Sequence, residues 1–349
     1  MRCSVRRADC APPLIADVRP LGRTTIGDGL RESQPRYVAL TLLVAVSACM
    51  PPRGDAGEKI LFHSDRSATE EIFMMDPDGL NVRQLTHVGR SEVASIDAEG
   101  SPDGKRIAFS SNRTGPWDDL YVMDGDGGNV RQLTDTPKVS EHDAAWSPDG
   151  RHIAYSAQPR SPIAANGTRQ DREPAQIWIM DADGSNARAH TSGRSRNIRP
   201  AWSADGSLLA FSSDRHATFE LNLIGTDDGD LEIYLMDRNG WNVRRLTEGA
   251  ATALNPAWSP DGQRIAFQTS REGSWHIHVM NADGSNQRRL TDGPRVDVRP
   301  AWSPDGREII FNCGPDQHEK WEICLIRADG SGLRTLTNND AFDGHPDWW

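Results

Sequence analysis

Two rows of polar residues stand at fixed distances ahead of a repeated tryptophan, and they are the side chains of this chain best placed to do chemistry. Three positions before Trp146, Trp202, Trp258, Trp302 and Trp348 stand Asp143, Arg199, Asn255, Arg299 and His345; Asp97 holds the same place before Gly100, where the tryptophan is missing. Five positions before stand Glu141, Asn197, Ala253, Asp297, Asp343 and Ser95. Carboxylates, guanidinium groups, an amide and an imidazole brought to one axis make the mouth of a funnel of mixed charge, able to hold a peptide end or a small polar ligand. The same groups could instead pair with one another, Arg199 and Arg299 facing Asp97, Asp143 and Asp297 across a water-filled channel.

Signatures of catalysis are missing from the sequence. It has no Gly-x-Ser-x-Gly elbow, no His-Glu-x-x-His and no phosphate-cradling glycine loop. Asp76-Pro-Asp-Gly79 and its relatives imitate half a calcium loop but lack the twelfth-position carboxylate, so they read as tight turns. Among 10 histidines, His276 and His278 form the one close pair. On a strand they share a face, but no third ligand is evident. Catalytic residues, metal and cofactor are accordingly expected to be none.

The elements that would position the two rows are written as a repeat. Trp-Ser-Pro-Asp-Gly or a near copy recurs about every 50 residues at Trp146, Trp202, Trp258 and Trp302. Each copy holds four short segments, here a to d, illustrated by the second. A run into Ser101-Pro-Asp-Gly104 is followed by Arg106–Ser111, then Asp119–Asp124, then Asn129–Thr134. Runs of four to six residues rich in Ile, Val, Phe and Tyr, bounded by Gly, Asp and Pro, are strands. In the turns, proline presets one dihedral, aspartate bonds its own backbone and glycine accepts positive φ. Four-stranded antiparallel sheets that bury both faces by radial stacking form a β-propeller. Segment b appears six times, but the first copy lacks segment a and the last residues, His345–Trp349, are a lone segment a. The expected fold is therefore all-β: a six-bladed propeller over residues 58–349, closed by the C-terminal strand joining the N-terminal blade.

These motifs, Trp-Ser-Pro-Asp-Gly, Ile-Ala-Phe, Ile-Tyr-Leu-Met-Asp and Arg-x-Leu-Thr, resemble the PD-type, WD-like repeat of the TolB-like propeller family. The resemblance covers about 290 residues in six copies. It implies a non-catalytic scaffold that binds an envelope protein or peptide through its central funnel and blade loops. TolB itself carries a separate α/β domain ahead of its propeller, for which there is no room between Cys49 and Glu58. Propeller enzymes related in repeat style imply an alternative, a metal-dependent polysaccharide lyase or hydrolase with its site in the channel. Only His345 and His142 stand near that place.

The N-terminus points to export. Val38–Ala48 is an apolar run after Arg31 and Arg36, the length of a signal-peptide core and too short to span a bilayer. Val46-Ser-Ala-Cys49 resembles a bacterial lipobox, which implies lipidation of Cys49 and a membrane anchor. Met50 in place of aspartate favours the outer membrane by the same resemblance. Residues 1–49 are then the leader and 50–57 a tether. A net charge of −11 argues against nucleic acid as partner; a monomer is expected. Cys313 and Cys324 lie on segments b and c of the sixth copy, within bonding reach if they share a face of the sheet. Residues 159–175 and 216–230 are long b–c insertions expected to project side by side on one face.

Overall fold

The computed structural model describes residues 57–160, 173–216, 231–249, 251–315 and 320–349. The expected leader, Cys49, nearly all of the tether and most of both b–c insertions lie outside these residues.

The described residues form 24 strands. The first blade holds β1 (Ile60–Ser64), β2 (Glu71–Met75) and β3 (Arg83–Gln84). The second holds β4 (Ser95–Gly100), β5 (Arg106–Ser111), β6 (Asp119–Asp124) and β7 (Arg131–Gln132). The third holds β8 (Val139–Trp146), β9 (His152–Pro159), β10 (Gln176–Asp181) and β11 (Arg188–Ala189). The fourth holds β12 (Asn197–Trp202), β13 (Leu208–Ser213), β14 (Glu232–Asp237) and β15 (Arg244–Arg245). The fifth holds β16 (Ala253–Trp258), β17 (Arg264–Thr269), β18 (His276–Asn281) and β19 (Arg288–Arg289). The sixth holds β20 (Val296–Trp302), β21 (Glu308–Gly314), β22 (Glu322–Arg327) and β23 (Arg334–Thr335). The remaining strand, β24 (Asp343–Trp348), completes the first blade in the order β24-β1-β2-β3. All six sheets are four-stranded, and every pairing is antiparallel.

Closure is read from neighbours around the ring. Each blade's first strand lies against that of the next blade, and β24 lies against both β20 and β4. Head and tail are tied by Ile60↔Trp348 and Ser64↔Asp343 in register, and by an N–H···O pair between Lys59 and Trp349 at 2.6 and 2.7 Å. The apolar core lies between blades. Phe62, Phe109, Phe211, Phe267 and Phe311, at one position of the second strand, are fully buried.

Local chemistry explains the repeated motifs. In each Ser-Pro-Asp-Gly turn the serine hydroxyl donates to the aspartate, as Ser101 to Asp103 at 2.7 Å, and accepts the N–H of the residue that starts the next strand, Arg106, at 2.9 Å. The threonine that ends each repeat accepts a backbone N–H from the third strand in all six blades, for example Ile72 to Thr86 at 2.8 Å and Ile323 to Thr337 at 2.9 Å. Glycine is obligatory in the outer turn: at Gly127 φ is +90°, and a Cβ would lie 2.7 Å from the carbonyl oxygen of Leu85 in the preceding blade.

The two cysteines share a face. Phe311 faces Cys324 and Cys313 faces Glu322, so the cysteines are diagonal neighbours in the core between the fifth and sixth blades. Their sulfurs are bonded, with Cα atoms 5.8 Å apart.

Candidate functional site

The row three positions before the tryptophan sits on six β-bulges. In every first strand the register slips by residues at this point, between Ile96 and Glu99 in β4 and between Val298 and Ala301 in β20. Asp97, Asp143, Arg199, Asn255, Arg299 and His345 all have φ between 50° and 57°. For a non-glycine residue the left-handed region costs about 1–2 kcal/mol. Bulges bend a strand and re-aim one side chain, and here one polar side chain per blade is re-aimed at the innermost layer.

The freed peptide N–H groups find partners in the blade before. Arg199 N donates to Ser156 Oγ at 3.0 Å, Arg299 N to Gln268 Oε1 at 2.8 Å and His345 N to Asn312 Oδ1 at 2.8 Å. These acceptors belong to a row that sequence reasoning missed: His63, Ser110, Ser156, Ser212, Gln268 and Asn312. Each follows the buried aromatic of the second strand. A polar residue after the Phe or Tyr that ends this apolar triplet in all six copies was the available signal.

The row five positions before the tryptophan behaves differently, and its place at the funnel mouth is corrected. Ser95, Glu141, Asn197, Ala253, Asp297 and Asp343 are at most 1% exposed. The intervening bulge turns them into the blade packing, where they tie loops. Asp343 accepts from Arg66 at 2.6 Å and Asn339 at 2.6 Å; Asn197 accepts from Arg215 at 2.6 Å; Asp297 accepts from Arg295 at 2.7 Å. Glu141 accepts from Thr134 and borders a cleft of about 1190 Å³ with Tyr155 and Trp178. Burial pushes the Glu141 carboxyl up to about 7.

Within the inner row the charges partly satisfy one another. Arg199 Nη1 donates to Asn255 Oδ1 at 2.5 Å, and Asn255 donates to Gln268. Ser156 donates to Asp143 at 2.9 Å. Arg299 Nη1 lies 3.4 Å from Asp97 Oδ1, and His345 Nδ1 contacts the same oxygen. Burial would raise Asp97, but His345 and Arg299 outweigh it and hold the carboxyl well below its usual range. Burial, then the Arg299 charge, lowers His345 to about 4. His63 is lowered well below the usual imidazole range by burial and by His345.

His63, Asp97 and His345 are the group of three metal-ligating side chains found among the described residues, with donor atoms within 4.8 Å of one another. His276 and His278 share one face as expected, each buried, with Asp297 at 3.7 Å from the first and Glu272 at 4.0 Å from the second. One layer further along the same two strands as Asp97 and His345, Glu99 and Asp347 form a carboxylate pair. Burial and the Asp347 charge push Glu99 well up.

The family profile described as the TolB beta propeller domain matches residues 217–349. "Protein TolB homolog" of Chlorobium chlorochromatii (strain CaD3) is 31% identical over 215 residues, 62% of this chain and 32% of that protein. "Uncharacterized peptidase YuxL" of Bacillus subtilis (strain 168) is 33% identical over 102 residues, 29% of this chain and 14% of that protein. The matched stretches thus span about a third or less of these relatives. The crystal structure of TolB from Acinetobacter baumannii superposes with a TM-score of 0.65 at 20% identity, over 83% of this chain and 66% of that one. Residues 217–349 thus carry the TolB beta propeller domain, and the chain as a whole is similar to TolB homologues in sequence and shares the propeller fold of TolB.

Proposed function

We propose that this propeller is an exported, non-catalytic scaffold that binds an envelope protein or peptide at its central channel. The observation that carries the reading is the inner row. Six blades each carry one polar side chain on a left-handed bulge of the first strand, and side chains of different blades reach one another, Arg299 to Asp97 and Arg199 to Asn255. Strain repeated at one position in every blade is retained for what the re-aimed side chains contact. Mixed charge, with Arg199 and Arg299 partly exposed beside Asp97 and Asn255, suits a peptide carrying both carboxylate and amide groups. A relative from Desulfosudis oleivorans, named a Tol-Pal system protein and 44% identical over 50 residues, supports an envelope setting. Cys49 is proposed as the lipidated residue that tethers the body to the membrane, the outer membrane in preference to the inner.

A photo-cross-linking residue placed at Arg199 tests the binding, with the same residue at Trp241, which is 72% exposed, as the control. Expression in a native envelope should give one defined protein adduct from position 199 and none from 241. R299N should lower its yield about tenfold, the loss of one charge-assisted contact. Equal adducts from both positions, or none from 199, defeat the channel reading. Cys49→Ser should move the protein from the membrane to the soluble fraction; unchanged fractionation ends the anchor proposal.

A further inference from the structure

We propose that His63, Asp97 and His345 bind one divalent transition-metal ion of the zinc class at the junction of the first and second blades. Two imidazole nitrogens and one carboxylate oxygen are the donor set that zinc and its neighbours prefer, whereas calcium and magnesium want oxygen alone. One donor atom from each side chain lies within 4.8 Å of the others, so small rotations about the side-chain bonds suffice to gather them on an ion. Three protein ligands leave at least one coordination position open. The side chains of Asp97 and His345 keep 10% and 17% of their exposure, which gives an ion a path from the channel.

The surroundings hold these groups in place. Asp97 and His345 stand on bulges in β4 and β24, each fixed by its backbone. His63 stacks on Phe342 at 5.4 Å and tilts against His345 at 4.3 Å between ring centres. This close fit depends on Gly344, where a Cβ would collide with Phe342 and lie 3.2 Å from His63 Nε2. His63 is the one imidazole in its row, and like Ser110 and Ser212 it is not satisfied there. In the third, fifth and sixth blades that position is Ser156, Gln268 or Asn312, each satisfied by the next blade's peptide N–H. His63 is 3% exposed, and its Nδ1 has no hydrogen-bond partner. A buried nitrogen with a free lone pair or proton is costly unless something occupies it. The Arg299 guanidinium on Asp97 is the competitor, since an ion there meets a like charge.

This inference is independent of the polypeptide-binding reading, and either can fail alone. The tag-free full chain, stripped by chelator, is titrated with zinc chloride by calorimetry and with cobalt(II) by visible absorption. One equivalent should bind, and cobalt should give the intense bands of a four- or five-coordinate ion. H63S and H345N introduce residues that other blades carry at the same backbone positions, Ser156 and Asn255. Each should weaken binding by at least the 10–100-fold typical of losing a supporting group. R299N, which removes the competing cation, should tighten it. Absence of saturable binding by the wild-type chain, a six-coordinate cobalt spectrum, or unchanged affinity in folded H63S and H345N overturns the site. The wild-type titration decides even if both variants fail to fold.

Discussion

A carboxyl that is buried without a cation changes its proton affinity, and Glu141 is the clearest case in this molecule. It is 1% exposed, accepts from Thr134 at 3.3 Å and has its pKa raised from 4.5 to about 7, chiefly by burial. Because the folded value is the higher one, the folded state holds a proton that the unfolded state has already lost between these two values. Stability is therefore fully present below 4.5 and is lost as pH rises toward 7. The slope contributed by this one group is at most about 1.4 kcal/mol per pH unit. Glu141→Gln cannot ionise, so the difference in unfolding free energy between variant and wild type should grow in the variant's favour across that window and flatten above it. Denaturant melts at several pH values measure this. A constant difference would mean that Glu141 is ionised throughout. Asp343 shows the other solution to burial: fully buried, it is met by the Arg66 guanidinium through both carboxylate oxygens at 2.6 Å.

At the scale of strands, what could be read from the sequence was what local bonding dictates. The Ser-Pro-Asp-Gly turn and the Leu-Thr ending are legible because the atoms that satisfy them lie within a few residues or in the neighbouring strand of the same repeat. Thr247 illustrates this. It is fully buried, accepts the Ile233 N–H at 2.9 Å and donates to Glu232. Thr247→Val keeps the shape but leaves the Ile233 N–H unpaired and removes the donor from Glu232 Oε2, with Arg245 remaining on Oε1 at 2.8 Å, so a loss on the order of 1–3 kcal/mol is expected in chemical unfolding. A loss under about 0.5 kcal/mol, the level of an indifferent surface change, would refute the pairing. The bulges were not legible. A period-two reading places residues 95 and 97 on one face, whereas the slipped register buries Ser95 and presents Asp97. The three-residue cluster was hidden for another reason. His63, Asp97 and His345 meet only when the ring closes, and His345 was read in its row without His63 behind it. The Cys313–Cys324 pairing also needed the register, and it closes a short loop across a sequence separation of 11. Its reduction should therefore cost no more than about 3 kcal/mol. A C313A/C324A variant should melt like the reduced protein and ignore reductant; a reductant effect surviving in that variant would locate the sensitivity elsewhere.

For the whole molecule, the ring has six places for an indole in its first strands but only five tryptophans there. The sixth place belongs to Gly100. A Cβ built on Gly100 would collide with the indole of Trp349, and that ring also covers Gly125 and donates its N–H to the Ser101 carbonyl at 3.1 Å. The residue after the closing strand thus reaches into the neighbouring blade and fills the gap left by the missing tryptophan, packed against the cluster of Leu61, Ala98 and Ile107. Closure then depends on two devices, strand pairing of β24 with β1 and this inserted ring. They can be separated by a cycle of substitutions. Trp349→Ala opens a partly buried cavity and should cost about 2–3 kcal/mol, below the full range for a buried tryptophan. Gly100→Trp alone should also destabilise, because two indoles compete for one space. Together, G100W and W349A should recover most of the loss, since the second blade then carries its own tryptophan as the others do. Two destabilising changes that cancel when combined give a coupling energy of opposite sign to simple addition. If the double variant is instead as unstable as the sum of the singles, Trp349 does not stand in for the missing residue, and the ring is held by β24, the Lys59–Trp349 backbone pair and the Arg66–Asp343 clasp without help from the indole.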